Sequence, residues 1–135
     1  MLKDYSLLPD YMEVEDLKRE FRSLLLHAKI IKDNVGFSEA LYELAIRQWH
    51  TYKVIENSLK DEINNWIIEN FNFHSLEITE SLIGVIGNLG LEKSYEYIKE
   101  SISKDININK DVKHKILEAI NEFGESVSNP YMSLE

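Results

Sequence analysis

From residue 14 onward, apolar residues return at three- and four-residue steps, the spacing that gathers them on one face of an α-helix. Val14, Leu17, Phe21, Leu24, Leu25, Ala28 and Ile31 make the first stripe, with Asp16, Arg19, Glu20 and Arg22 largely off it. The spacing predicts a helix over residues 13–32, ended by Asp33, Asn34 and Gly36. Ser38 is the expected N-cap of the next helix. Leu41, Leu44, Ala45, Gln48, Trp49, Tyr52 and Ile55 share its inner face, and the pattern continues through Leu59, Ile63, Trp66, Ile67 and Phe71. That run is long for one helix. A break is expected near residues 57–58, with Ser58 capping a new start and Asp61 three residues on; one continuous helix is the alternative. Trp49 and Trp66 both fall on apolar faces and read as core.

Asn72, Phe73 and His74 link to a helix opened by Ser75, with Ile78, Leu82, Ile83, Val85, Ile86 and Leu89 inward. Gly90 stands where a helix closes through a left-handed residue. A shorter helix over residues 92–103 points Tyr95, Ile98 and Ile102 inward. After a loop at 105–109, a last helix over 111–123 carries Val112, Ile116, Leu117, Ala119, Ile120 and Phe123, followed by Gly124. Residues 1–12, with Pro9 disfavouring helix at Leu8, form an irregular arm. Residues 126–135, with Asn129–Pro130, read as a poorly ordered tail. Strand signals are nearly absent, so the expectation is one all-α domain spanning 1–135, with N-terminal helices over 13–71 and a repeated section over 75–125.

The repetition has an offset of 34 residues without a gap. Ile78 meets Val112, Leu82 meets Ile116, Ile83 meets Leu117, Val85 meets Ala119, Ile86 meets Ile120, Leu89 meets Phe123, and Gly90 meets Gly124. A short amphipathic helix lies between the copies, which makes the unit a helix–turn–helix with a solenoid-like period. A third, degenerate copy one offset earlier places Leu44, Trp49, Tyr52 and Ile55 at the corresponding apolar positions, with Glu56 at the glycine.

The run LIGVIGNLGLEKSYEYIKESI (82–102), followed by DVKHKILEAINEFGE (111–125), resembles HEAT repeats in its glycine-terminated first helix, short second helix and D-V-K opening. Lys113 stands where many HEAT units carry arginine. The resemblance covers residues 40–125, most clearly 76–125. It implies a HEAT-like α-α superhelix, a short solenoid of about three helical hairpins, and a binding scaffold without a named partner. It further implies that the second helix of each unit lines a concave surface.

Composition narrows the function. The 135 residues carry 24 acidic and 15 basic side chains, a net charge of −9. Such a field repels a phosphate backbone, and no local Lys/Arg cluster offsets it, so a nucleic-acid partner is not expected. A basic protein is the better match. Cysteine is absent, which excludes disulfides and thiolate metal sites. Neither a signal-type apolar region nor the roughly 20-residue apolar stretch of a membrane span is present, so a cytoplasmic location is expected, with no membrane partner.

Candidate chemistry is sparse. GVIGNLG (84–90) has the wrong spacing for a dinucleotide fingerprint, follows no strand and precedes no Lys-Ser/Thr; Gly84 and Gly87 instead share a helix face suited to close contact. His114 and Glu118 are one helical turn apart without a third ligand, so no metal is expected. No residue stands in a nucleophile context, and no catalytic residue or cofactor is expected.

The informative surface is polar. With Leu91, Tyr95, Ile98 and Ile102 inward, Glu92, Glu96 and Glu100 make an i, i+4, i+8 stripe and Tyr97 points away from the core. The preceding second-type helix offers Asp61, Glu62, Asn65 and Glu69. The candidate protein-binding residues are therefore Asp61, Glu62, Glu69, Glu92, Glu96, Tyr97 and Glu100. In size, acidity and helical-repeat character the chain is similar to immunity proteins of bacterial polymorphic and contact-dependent toxin systems. That likeness implies neutralisation of a basic toxin domain by occlusion. An adaptor or regulatory subunit is the alternative, and a small enzyme with a non-local carboxylate site the second.

Overall fold

The structure, a computed structural model, describes residues 3–104 and 107–131. Among the described residues six helices follow a 3-10 turn at Tyr5–Leu7: α1 (Val14–Leu26), α2 (Asn34–Trp49), α3 (Asn57–Asn70), α4 (Leu76–Leu89), α5 (Glu92–Lys104) and α6 (Lys110–Phe123). No strand occurs among the described residues. The chain is all-α. The helices form two layers, each burying its apolar stripe on the other. In one layer α4 packs between α2 and α6; in the other α3 packs between α1 and α5. Leu41, Leu44, Leu82, Val85 and Ile86 meet Leu59, Ile63, Ile67, Tyr95 and Ile98 in one continuous core.

The helix starts show how capping and packing divide the work. Ser75 caps α4 as its sequence suggests, its Oγ accepting from the Ile78 N–H at 3.2 Å. α2, in contrast, begins before Ser38. The Asp33 carboxylate accepts from the Gly36 N–H at 2.9 Å. That earlier start places Phe37 in the core, stacked on Trp66 with ring centroids 4.4 Å apart. Ser38 is thus a fully buried interior residue whose hydroxyl has no hydrogen-bond partner. Residues 34–71 form two helices, and the break lies at 50–56, earlier than the expected 57–58. Tyr52, at φ 57°, turns the chain, and the Gln48 amide holds the turn by donating to Lys53 O at 2.7 Å. Ser58 does not cap α3; its hydroxyl donates to Glu56, the residue at the cap position.

α1 also ends early, at Leu26 instead of residue 32. The His27 ring takes the Ser23 carbonyl through Nδ1 at 2.8 Å. The His27 N–H, which would bond that carbonyl in a continuing helix, turns to Leu24 O at 3.2 Å. This tighter i→i−3 closure ends the helix. Ala28 and Ile31 still pack against the core from the turn, while Leu26 and Ile30 are exposed.

The repeat is kept along the core-facing line and lost at its flank. Ile78 and Val112, Leu82 and Ile116, and Val85 and Ala119 are all buried. Leu117, expected inward, is 48% exposed, and Ile120 and Phe123 are only partly buried, unlike Ile83, Ile86 and Leu89. The reason is positional: α4 has a helix on each side in its layer, whereas α6 has only α4. Gly90 closes α4 in the left-handed conformation (φ 68°, ψ 47°), with the Leu91 N–H reaching back to Ile86 O at 3.0 Å. Gly124 also has positive φ (77°) but with ψ −143°.

The described parts of the arm and the tail are more structured than their composition suggests. The arm is seated by Arg47, a buried residue whose guanidinium donates to Pro9 O at 2.8 Å and Leu8 O at 2.9 Å. Tyr5, also in the arm, is buried. The tail, expected to be poorly ordered, folds back over residues 126–131. Val127 is buried, the Trp49 indole N–H donates to Pro130 O at 3.0 Å, and the Tyr131 hydroxyl donates to Trp49 O at 2.8 Å. Trp49 is accordingly a partly buried docking residue, not core. Residues 1–2 of the arm, 105–106 of the last loop and 132–135 of the tail lie outside the described residues.

Candidate functional site

The surface formed by α3 and α5 carries every residue singled out for protein binding. α5 is placed against α3 by a buried polar clasp. The Asn64 Oδ1 accepts the Ser94 N–H at 3.0 Å and the Ser94 hydroxyl at 2.5 Å. An uncapped N–H in the first turn of α5 is thereby satisfied by the neighbouring helix. Leu91, Tyr95 and Ile98 face the core fully buried, which turns Glu96 and Glu100 outward.

Between the helices lies a shallow depression of about 410 Å³, lined by Ile68, Glu92, Lys93, Glu96, Tyr97 and Glu100. Tyr97 does not point away from the core as expected. It is partly buried, with its ring 6.1 Å from that of Phe73. The core stripe of α5 is wider than a strict a/d line. Tyr97 and Ile68 give the depression an apolar surface, and the carboxylates stand around it.

The electrostatics are milder than the acidic count implies. Lys93 lies 3.7 Å from Asp61, Lys99 2.8 Å from Glu96, and Lys104 4.0 Å from Glu100. Lys99 also sits 4.3 Å from the centroid of the Tyr95 ring, and its hydrogen bond to Glu96 raises its pKa above the ordinary lysine value. Burial raises the Tyr95 hydroxyl, which donates to Gly124 O. Three of the six candidate carboxylates are therefore paired with lysines, mostly on exposed side chains where a pair is worth little.

Glu92 is engaged within the chain. One of its carboxylate oxygens accepts the Val127 N–H at 2.8 Å and the Ser126 hydroxyl at 3.0 Å, holding the tail. Glu62 and Glu69 are exposed on α3 outside the depression, and Asp61 reaches it only through Lys93. The structure thus brings Glu92, Glu96, Tyr97 and Glu100 together and leaves Asp61, Glu62 and Glu69 peripheral.

Sequence reasoning missed Asn64 and Arg47. Each is a polar residue on the buried side of a helix, and that misplacement from the apolar stripe is the available signal. His114 Nε2 lies 3.7 Å from Glu118 Oε1 on the exposed face of α6. No group of three or more metal-ligating side chains occurs among the described residues. Gly84 and Gly87 lie inside α4, where the rings of Tyr42 and Phe123 rest against them. No described helix is long and apolar enough to cross a membrane. Compared with protein-family models, curated proteins and solved structures, the chain matches none.

Proposed function

We propose that the chain is a protein-binding module that holds a basic protein domain on the α3/α5 face. In its most specific form it is a cytoplasmic immunity protein that neutralises a bacterial toxin domain by covering it. The observation that carries this reading is the α3/α5 depression: an apolar patch of Ile68 and Tyr97 ringed by Glu96, Glu100 and Lys93. A partly buried aromatic inside a charged rim is the arrangement from which interface hot spots are built. The acidic balance of the whole chain accelerates encounter with a basic partner without adding much affinity at each pair. Two layers of packed helices give that face a rigid base, so binding need not fold it first. The HEAT-like reading belongs with this proposal, since stacked hairpins present such a face without any catalytic apparatus.

The test is co-expression with the protein encoded by the adjacent gene, which this reading expects to be toxic when expressed alone. The proposal expects the wild-type chain to restore growth, and a Tyr97→Ala/Glu96→Lys/Glu100→Lys variant of unchanged helicity to fail. Full rescue by that variant removes the α3/α5 face from the interface. Lack of rescue by the wild type removes the immunity reading.

A further inference from the structure

A second feature lies on the other layer of the molecule and is independent of the α3/α5 reading. A cleft of about 460 Å³ opens between α2, α4 and α6, closed at one end by the tail. Its volume is that of a small-molecule site. At its floor Gly84 and Gly87 let the rings of Tyr42 and Phe123 pack directly on the backbone of α4. A Cβ on Gly84 would collide with the Tyr42 ring, and one on Gly87 would stand 2.8 Å from Phe123 Cζ. Tyr42 and Phe123 thus flank the floor from neighbouring helices. Trp49 adds a third aromatic surface and is fixed in place by its indole bond to Pro130 O.

The charge of the lining selects the ligand. No Lys, Arg or His is among the lining residues, and the single charged side chain is Glu122. An anion finds no countercharge there. A neutral apolar molecule gains nothing from Glu122. A cation on an apolar body gains from both, because Trp, Tyr and Phe attract cations through their ring faces and the carboxylate supplies the opposite charge. The net charge of −9 favours cations near the surface as well.

We propose that this cleft binds an alkylammonium group, with Tyr42, Trp49 and Phe123 as the aromatic walls and Glu122 as the counterion. A positive charge at the end of an alkyl chain occurs both on free quaternary amines and, as a primary ammonium, at the tip of a lysine side chain.

The experiment titrates the full chain with choline, with its neutral tert-butyl isostere, and with the peptide Gly-Lys-Gly, blocked as N-terminal acetyl and C-terminal amide, in free and Nε-acetylated forms. Binding is read from the indole N–H resonance of Trp49, assigned by its loss in Trp49→Phe. Choline should bind about three- to thirty-fold tighter than the isostere. Glu122→Gln, a change at an exposed position, should remove much of that preference and leave isostere binding unchanged. Competition by free but not Nε-acetylated Gly-Lys-Gly supports the site and assigns it to a polypeptide lysine; choline binding without such competition supports it and assigns it to free amines. Equal binding of choline and isostere, a preference untouched by Glu122→Gln, or no saturable shift of the Trp49 resonance overturns the proposal.

Discussion

Arg47 is the residue whose loss should be felt furthest from its own position. Its side chain is 5% exposed, and its guanidinium bonds Pro9 O, Leu8 O, Glu43 O and the Glu43 carboxylate, all at 2.8–2.9 Å. Two of those bonds hold the arm. Arg47→Met keeps most of the stem volume but removes every donor. A hydrogen bond to a charged group contributes about 1.5–3 kcal/mol, and two such bonds set a gross loss of about 3–6 kcal/mol. Release of the arm lets water satisfy the freed carbonyls, so the net loss expected is about 2–4 kcal/mol. For a chain of this size that lowers Tm on the order of 10 °C. The assay is urea unfolding of four proteins: wild type, Arg47→Met, a form lacking residues 1–9, and the combination. If Arg47 acts through the arm, the substitution should cost less than about 1 kcal/mol once the arm is gone, a non-additivity well beyond ordinary error. Equal cost in both backgrounds would refute the clamp.

Other positions separate as follows. Ile86→Ala, at a fully buried site, should cost about 2–5 kcal/mol in urea unfolding, while Ile120→Ala, only partly buried, should cost about half as much. Gly90→Ala is strained by its φ of 68° and brings a Cβ to 2.9 Å from Val127 O. It should destabilise by about 1 kcal/mol or more and raise hydrogen exchange in residues 126–131. Glu56 is held below the ordinary carboxylate value by its bond from Ser58, with Arg22 and Lys18 adding to it. Its contribution is therefore present at neutral pH and lost as pH falls through that lowered value. Glu56→Gln should flatten the acid side of a stability–pH curve, with a smaller change on the alkaline side, where Lys18 loses one of the two carboxylates that raise its pKa.

What can be read from the sequence is local. Ser75 and Gly90 mark the ends of α4 because cap and closure chemistry act within one turn. The Tyr95–Ile98 stripe gives the orientation of α5 because periodicity needs no partner. Expectation and structure part where two local signals compete or where the partner lies far along the chain. Asp33 and Ser38 are both good caps, and the burial of Phe37 decides between them. His27 ends α1 through a ring-to-carbonyl bond that no helix scale contains. Arg47, Asn64 and the tail contacts of Trp49 join residues about 30 to 80 positions apart, so their roles appear only once the layers are stacked. The candidate face is legible as a set of outward carboxylates. The inward lean of Tyr97, the diversion of Glu92 to the tail and the reach of Lys93 across to Asp61 on α3 are not.

The most direct measurement of the binding claim is the association rate with the basic partner protein the proposal expects, followed against salt for wild type, Glu96→Lys/Glu100→Lys and Tyr97→Ala. Charge reversal should slow association several-fold at low salt and much less at high salt, since exposed charges are screened beyond about 10 Å at 0.1 M. Tyr97→Ala should act on dissociation, weakening the complex by about 1–2 kcal/mol or more, with only a modest loss of Tm from its partial burial. Identical rates and affinities across the three proteins, at any salt, would contradict the assignment of this face as the interface.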